Sequence, residues 1–206
     1  MRSRFTTALR MAAAFGILLL GACVSTAPTH YHTLLGDSAA SAASATPSAF
    51  LIDVQSVGVP AQVDRPQLVV RDGGGVTPLE QERWIAPLAD DVRSALSADL
   101  SRELATTDVA SQPRPEGTKV LAIKVDLRRF DSAPGAYALI DAVWSLRIGN
   151  DASSALVCAS EARETVAPGY DELVSGYRRA LATIAGGIAS VARNYVAMGK
   201  GACPGG

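Results

Sequence analysis

Three consecutive segments of alternating apolar and polar residues constrain the fold of this chain more than any other feature. The clearest of them is 119–130, in which Leu121, Ile123, Val125 and Leu127 alternate along the strand. The alternation recurs over 137–148 and 155–163, and short turns separate the three segments. A period of two places alternate side chains on one face of a strand. The segments therefore predict an antiparallel three-stranded meander with one buried face.

Two longer segments carry apolar residues at helical spacing. The first follows Pro87, and its apolar stripe is Leu88, Val92, Leu96, Leu100 and Leu104. The second runs from Asp171 to about Met198, and its stripe is Leu173, Tyr177, Leu181, Ile184, Ile188, Val191 and Tyr195. Residues three or four positions apart share one face of a helix, so each stripe predicts an amphipathic helix lying on a sheet.

Two adjacent glycines, Gly186 and Gly187, interrupt the second predicted helix. Glycine inside a helix costs about 1 kcal/mol relative to alanine. Close packing against a sheet, or against a neighbouring subunit, would offset that cost.

The N-terminal half of the chain adds shorter strands. Residues 50–59 and 67–71 are predicted strands, and 76–81 returns as another after a hairpin turn at 72–75. The predicted fold class is therefore α/β. It is a single domain in which a mixed β-sheet, including the antiparallel three-strand meander, carries two long amphipathic helices packed on it.

The N-terminus has the features of an export signal. Arg2, Arg4 and Arg10 precede an apolar run at 11–20, which is the length of a signal-peptide core. Gly21-Ala22 and then Cys23 follow, a pattern that resembles the bacterial lipobox, in which the cysteine is lipidated. An ordinary secretory peptide with a chance cysteine, or a short membrane anchor, is the alternative interpretation.

The predicted organisation of the chain has four parts. Residues 1–22 are a lipoprotein signal peptide, and 23–49 are a lipidated tether that includes a candidate first strand at 30–35. Residues 50–198 are the α/β domain, and 199–206 are a tail. A diacyl thioether plus an N-acyl chain at Cys23 would anchor the protein permanently, at about 0.8 kcal/mol per buried CH₂. Because Val24 and not Asp follows Cys23, the sorting rule of enterobacteria-like species favours the outer membrane, with the protein on its periplasmic face.

Charge and cysteine content narrow the function classes. Removing the three arginines of the signal peptide leaves 16 basic against 20 acidic residues, a net charge of −4. An acidic surface argues against nucleic-acid binding. Cys158 and Cys203 remain as an even pair in an oxidising compartment, which favours a disulfide between them, with two free thiols as the alternative.

Neither catalysis nor a cofactor is indicated. The pair His30-x-His32 has metal-ligand spacing, but no third ligand lies near it in the sequence, so we predict no metal site. Asp90 and Asp91 are adjacent, so on a helix their side chains diverge by about 100° and cannot act on one substrate. We expect a protein that is not an enzyme.

Four motifs, in order along the chain, resemble the PqiC/YmbA family of ABC-type transport auxiliary lipoproteins. They are Tyr31-His32-Thr33-Leu34, the segment 64–71 that reads DRPQLVVR, the segment 82–88 that reads ERWIAPL, and the segment 135–146, which ends in AVWSL. The resemblance spans nearly all of the mature chain. The Ala/Ser-rich segment 36–49 departs from the family pattern and leaves the placement of the Tyr31 strand open.

The resemblance implies a non-enzymatic outer-membrane lipoprotein that serves a lipid transport system. Its implied partners are an MCE-domain protein, which forms a tunnel across the periplasm, and an inner-membrane transport component. Members of the family can assemble as homo-oligomeric rings. The alternative is a stand-alone envelope lipoprotein that binds a small apolar ligand between helix and sheet. A deep apolar cavity would favour the second hypothesis, and a flat surface with exposed aromatic residues the first.

Two short segments are candidates for partner binding, because Arg and Trp dominate the energetics of interfaces. They are Arg65-Pro66-Gln67 and Arg83-Trp84. The alternative is structural, with Trp84 as a core residue at the start of the helix and Arg65 as a donor that stabilises a turn. Trp144 lies on the apolar face of a predicted strand and is expected in the core.

Overall fold

The computed structural model describes residues 27–36, 48–113, 117–149 and 155–204. The predicted signal peptide, Cys23 and most of the Ala/Ser-rich segment lie outside these residues. Across the described ranges, no helix is both long and apolar enough to span a bilayer.

The described chain forms seven strands and two helices. In chain order they are β1 (His30–His32), β2 (Phe50–Val54), β3 (Gln67–Asp72), β4 (Gly75–Trp84), α1 (Leu88–Leu104), β5 (Lys119–Ala133), β6 (Tyr137–Ile148), β7 (Leu156–Thr165) and α2 (Tyr170–Met198).

The larger sheet has four strands in the order β2-β5-β6-β7. Strands β5, β6 and β7 are antiparallel neighbours, so the predicted meander is present. Trp144 on β6 lies opposite both Val125 on β5 and Cys158 on β7, and all three side chains are buried on one face. Strand β2 adds to the edge of β5 in parallel, which makes the sheet mixed.

The other strands form a second sheet, with the order β1-β4-β3. The α/β class is confirmed, but the expectation of one mixed sheet is wrong. After β2 the chain still follows β5 as far as Gly58, whose amide donates to Val125 O at 3.2 Å. Pro60 and Pro66 then interrupt the chain, and proline has no amide hydrogen to continue a ladder. Strand β3 therefore pairs with β4, and its Arg71 reaches β5 through an ion pair with Asp131 at 2.8 Å.

Both predicted helical stripes are buried. Every stripe residue of α1, from Leu88 to Leu104, and every stripe residue of α2, from Leu173 to Tyr195, lies in the core. Helix α2 packs on β6 and β7 and against α1. At 29 residues α2 is about 44 Å long, enough to cross the whole sheet.

The C-terminal tail returns to the sheet. In the structure Cys203 is joined by a disulfide to Cys158 on β7, and the two residues are 45 positions apart in sequence. A side chain added at the nearby Gly201 would lie 2.9 Å from Leu156, so the tail lies directly against the start of β7.

The glycine that allows α2 to pack closely is Gly176, and not a member of the predicted pair Gly186-Gly187. A Cβ built at Gly186 meets no described atom within 4 Å, so the expected close approach within the chain is wrong at that position. At Gly176 the same construction lies 2.3 Å from Val166 Cγ1 and 3.1 Å from Ala138 Cβ. Gly176 therefore allows α2 to approach β6 and the end of β7.

Alanine substitutions at these two glycines should have opposite effects. Gly186→Ala should raise the free energy of unfolding by up to about 1 kcal/mol, because alanine favours the helix and meets nothing. Gly176→Ala should lower it by roughly 1–2 kcal/mol, because the new methyl group clashes with buried side chains. Chemical denaturation of the purified domain measures both, and stabilisation by Gly176→Ala would contradict the packing described here.

Candidate functional site

The structure brings together the two segments predicted to bind a partner. The Trp84 amide donates to Pro66 O at 2.8 Å, and Gln67 lies opposite Arg83 in the ladder between β3 and β4. Ladder pairing then shifts by several residues between Gln67 and Leu68, so β4 bulges over residues 80–82. The bulge lets the loop at Arg65 and the end of β4 meet at one end of the three-stranded sheet.

The Trp84 side chain belongs to the core. It is 4% exposed, and its ring meets the rings of Phe130 and Tyr177 edge-on at centroid distances of 6.0 and 6.5 Å. The Phe130 and Tyr177 rings are stacked at 3.9 Å. Trp84 therefore joins β4, β5 and α2, as in the structural alternative.

The outer face of the three-stranded sheet presents the remaining candidates. Tyr31 on β1, Arg83 on β4 and Gln67 on β3 occupy one cross-strand row, so their side chains project on the same side. Tyr31 is 61% exposed, and Ile85, two residues beyond Arg83, is 62% exposed. Arg83 Nε donates to Glu80 O at 3.0 Å, which fixes the base of its side chain and leaves the guanidinium partly exposed.

Arg65 lies beside this row and is exposed, as is Pro66. Within the described ranges the Arg65 guanidinium makes no hydrogen bond or ion pair, while the Arg65 backbone amide donates to Val63 O at 2.8 Å in the turn. We call the surface formed by Tyr31, Arg65, Gln67, Arg83 and Ile85 the sheet-face patch. It carries two cationic side chains and two exposed apolar ones.

A second polar cluster surrounds the His-x-His pair. His32 Nε2 donates to Glu82 Oε2 at 2.6 Å, and His30 Nδ1 donates to Glu82 Oε1 at 2.9 Å. One carboxylate thus holds both rings to β4. The other nitrogen of the His32 ring lies 3.6 Å from Asp171, in the first turn of α2.

In this cluster the histidine and the carboxylate each stabilise the charged form of the other. The hydrogen bond to Glu82 and the charge of that carboxylate raise the pKa of His30 above its usual 6.5. Burial by itself would raise the pKa of Glu82, but the hydrogen bonds from His30 and His32 outweigh it and hold that pKa below 4.5. The His30–Glu82 pair therefore favours its doubly charged form between these two values.

The residues that follow β1 are fixed by both helices. Thr33 Oγ1 and the Leu34 amide donate to the two oxygens of Asp91 on α1, at 2.8 and 2.7 Å. Arg178 on α2 donates twice to Thr33 O, at 3.1 and 2.7 Å. The Leu34 side chain is 2% exposed. We call residues 30–34 the strap.

The sequence analysis did not identify Asp91 as a residue that binds the strap, yet Asp91 is only 3% exposed. The signal was available, because Asp91 stands three residues after Leu88 and thus shares the buried face of α1. No local pattern indicates that its partners lie nearly 60 residues earlier in the chain.

An open depression of about 610 Å³ lies at the start of the strap, and its walls are polar and aromatic; the lining residues are Thr29, His30, Tyr31, His32, Glu82, Tyr170 and Asp171. Among the described residues, no group of three or more His, Cys, Asp or Glu side chains has an arrangement that could hold a metal ion. In the structure the histidines instead link the strap to Glu82.

Comparison with known protein families identifies the family of this chain. Residues 32–189 match the sequence profile of the ABC-type transport auxiliary lipoprotein component family. The match spans most of the chain; it begins at His32 within the strap, includes every residue of the sheet-face patch except Tyr31, and covers all of α1 and α2 as far as Ala189.

The chain belongs to this family.

Several solved structures of low sequence identity are similar to this auxiliary lipoprotein to different degrees. A crystal structure of an uncharacterized protein is 22% identical, with a TM-score of 0.62, and covers 80% of this chain and 98% of its own. A protein of Xanthomonas campestris is 15% identical, with a TM-score of 0.49 over 68% of this chain and 81% of its own. The PelC dodecamer of Paraburkholderia phytofirmans is 14% identical, with a TM-score of 0.36 over 69% and 93%. No curated protein matches the sequence of this auxiliary lipoprotein.

The strap cluster should make stability depend on pH in a defined window. The contribution of His30 is complete below about pH 6.5 and is lost as the pH rises through its raised pKa. The contribution of Glu82 is present above about pH 4.5 and is lost as the pH falls through its lowered pKa. Replacing Glu82 by Gln should therefore lower the melting temperature most between these values.

The measurement is the difference in melting temperature between wild type and Glu82→Gln, followed from acid to alkaline pH. Glu80→Gln is the matched control, because Glu80 is an exposed carboxylate on the same strand, paired with Arg83 and not with a histidine. A difference that stays constant across this range would exclude the proposed charge pairing.

Proposed function

We propose that this auxiliary lipoprotein is the outer-membrane subunit of an MCE-type intermembrane lipid transport system. It docks the periplasmic tunnel protein at the membrane to which it is anchored through Cys23, and so supports envelope integrity. Family membership supports a role beside an ABC-type transporter. The sequence motifs that resemble PqiC/YmbA lipoproteins support the MCE partner, and the residue after Cys23, a valine, supports the outer membrane.

The observation that carries this proposal is the sheet-face patch. It combines an exposed tyrosine and isoleucine with two arginines on the face of a sheet that is short but fixed by the strap and by the bulge of β4. Arg and Tyr are enriched at the centres of interfaces. An exposed apolar and cationic surface of this kind suits a protein partner, and the proposal gives the protein no catalytic step.

The alternative function, binding of a small apolar ligand, would need a deep apolar cavity. Two depressions lined by described residues are open to solvent and partly polar. The first is the one at the strap. The second, of about 270 Å³, lies at the end of the four-stranded sheet beside Lys119 and Arg147. Neither favours that alternative.

We also infer that copies of this protein form a ring around the end of the tunnel, as the family resemblance implies. In this arrangement the acyl chains hold each copy to the bilayer, and each copy contributes one sheet-face patch. The tunnel protein would then be attached through several equivalent contacts, which raises the overall affinity without a tight single interface.

Charge reversal in the sheet-face patch should abolish docking without unfolding the protein. Arg65→Glu combined with Arg83→Glu should reduce crosslinking to the MCE-domain partner in the native envelope by about tenfold or more, because both arginines are surface residues of the interface. Its free energy of unfolding should change by no more than about 0.5 kcal/mol per exposed site. Arg147→Glu, at the far end of the other sheet, is the control.

Undiminished crosslinking by the Arg65/Arg83 variant, measured by mass spectrometry of the captured proteins, would remove the patch from the proposal. Trp84→Ala should behave differently. This variant should also lose crosslinking, but through unfolding. Removing the buried indole leaves a cavity in the core and should lower the free energy of unfolding by about 3–5 kcal/mol.

Lipidation is tested separately by Cys23→Ser. This variant should keep the melting temperature of the mature domain, because Cys23 precedes the first strand, but it should appear in the soluble periplasmic fraction and lose function in the envelope. Retention of the variant in the membrane fraction would contradict the assignment of Cys23 as the anchor.

A further inference from the structure

We infer that the strap is a releasable clamp that sets how far the domain stands from the membrane. When it is docked, the first fixed residue after Cys23 is His30, and seven residue steps separate the two. An extended chain spans at most about 3.3–3.6 Å per residue, so the docked domain lies within about 25 Å of the lipidated cysteine.

Release of the strap would greatly increase the maximum distance between the domain and Cys23. The next residue that the structure fixes to the domain is Ser48, whose amide donates to Ala105 O at 3.0 Å. Twenty-five residue steps separate Cys23 from Ser48, which correspond to a reach of about 85–90 Å. The same anchor can therefore act as a short tether when the strap is docked, and as one more than three times longer when it is released.

The composition of the strap suits reversible release. Its links to the domain are mainly hydrogen bonds and ion pairs, with Glu82 on β4, Asp91 on α1 and Arg178 on α2. The only apolar side chain it buries is Leu34, since Tyr31 is mostly exposed. Polar groups that separate can bind water instead, so the strap can open as a local unit while the core stays folded.

The geometry also separates the strap from the rest of the fold. Strand β1 has three residues, lies at the edge of the three-stranded sheet, and pairs only with β4. Strands β3 and β4 keep their own antiparallel ladder without it. The disulfide and α2 secure the opposite end of the chain.

This inference rests on the lipid anchor of the proposed function, and one experiment distinguishes the two. Full-length lipidated protein is reconstituted into lipid nanodiscs that contain a dansyl-labelled headgroup. Energy transfer from Trp84 and Trp144 to the dansyl groups then reports the distance of the domain from the bilayer. The release variant is Asp91→Ala with Arg178→Ala, and the matched control is Asp99→Ala with Arg147→Ala, whose charges lie away from the strap.

We expect the release variant to lose transfer by about twofold or more while the control retains it, because the permitted distance more than triples. Hydrogen exchange of a peptide covering residues 30–34 should accelerate in the same variant, while peptides of the core strands stay protected. A release variant whose strap exchanges fast but whose transfer is unchanged would overturn the inference. Unchanged exchange at the strap would overturn it as well.

A second variant covers the case in which the double substitution disturbs the domain. Deleting residues 37–47 in the release variant leaves fourteen steps from Cys23 to Ser48, a reach of about 50 Å. Transfer should then recover in part, which damage to the fold would not produce, and a lack of recovery would count against the longer tether. Failure of the wild-type protein to associate with the nanodiscs would overturn the anchor itself, and with it the proposed function.

Discussion

The packing of α2 on the four-stranded sheet is the constraint on which the remaining structure depends. The sheet presents a continuous apolar face, in which Leu121, Ile123 and Trp144 are almost completely buried. A sheet with one such face has to be covered, and α2 covers it with a stripe that runs along nearly its whole length. Gly176 sets how closely the helix approaches, because any side chain there would strike Val166. With α2 in place, α1 and the strap have a surface to pack against.

The elements that were predictable are those whose signal is local. Strands β5, β6 and β7 and both helices follow from periods of two and 3.6, and these periods need no knowledge of distant residues. The division into two sheets was not predictable in this way. It depends on where Pro60 and Pro66 take the chain away from β5, on the bulge of β4, and on the ion pair between Arg71 and Asp131, residues that are 60 positions apart.

The candidate site was also predictable only where its sequence signal is local. The motif resemblance indicated the segments at Arg65 and Arg83, and the structure places them side by side. The sequence analysis treated Arg83 and Trp84 as one partner-binding segment. Because adjacent residues on a strand face opposite sides, Arg83 lies at the surface and Trp84 lies in the core. The His-x-His pair was set aside for want of a third ligand nearby. Its partner is Glu82, a carboxylate 50 residues later that only the parallel pairing of β1 and β4 brings within reach.

The sheet-face patch and the strap both include residues of β1, so binding at the patch and docking of the strap are coupled. Tyr31 is part of the strap and also one end of the cross-strand row that continues through Arg83 to Gln67. A partner seated across that row contacts β1 and β4 together, so it binds the docked strap better than the released one. Linkage makes the effect reciprocal, since whatever releases the strap weakens the partner by the same factor. In the proposed arrangement, the lipid-anchored subunit would be held close to the membrane most firmly when its partner is bound, and its domain would reach farther when the partner leaves.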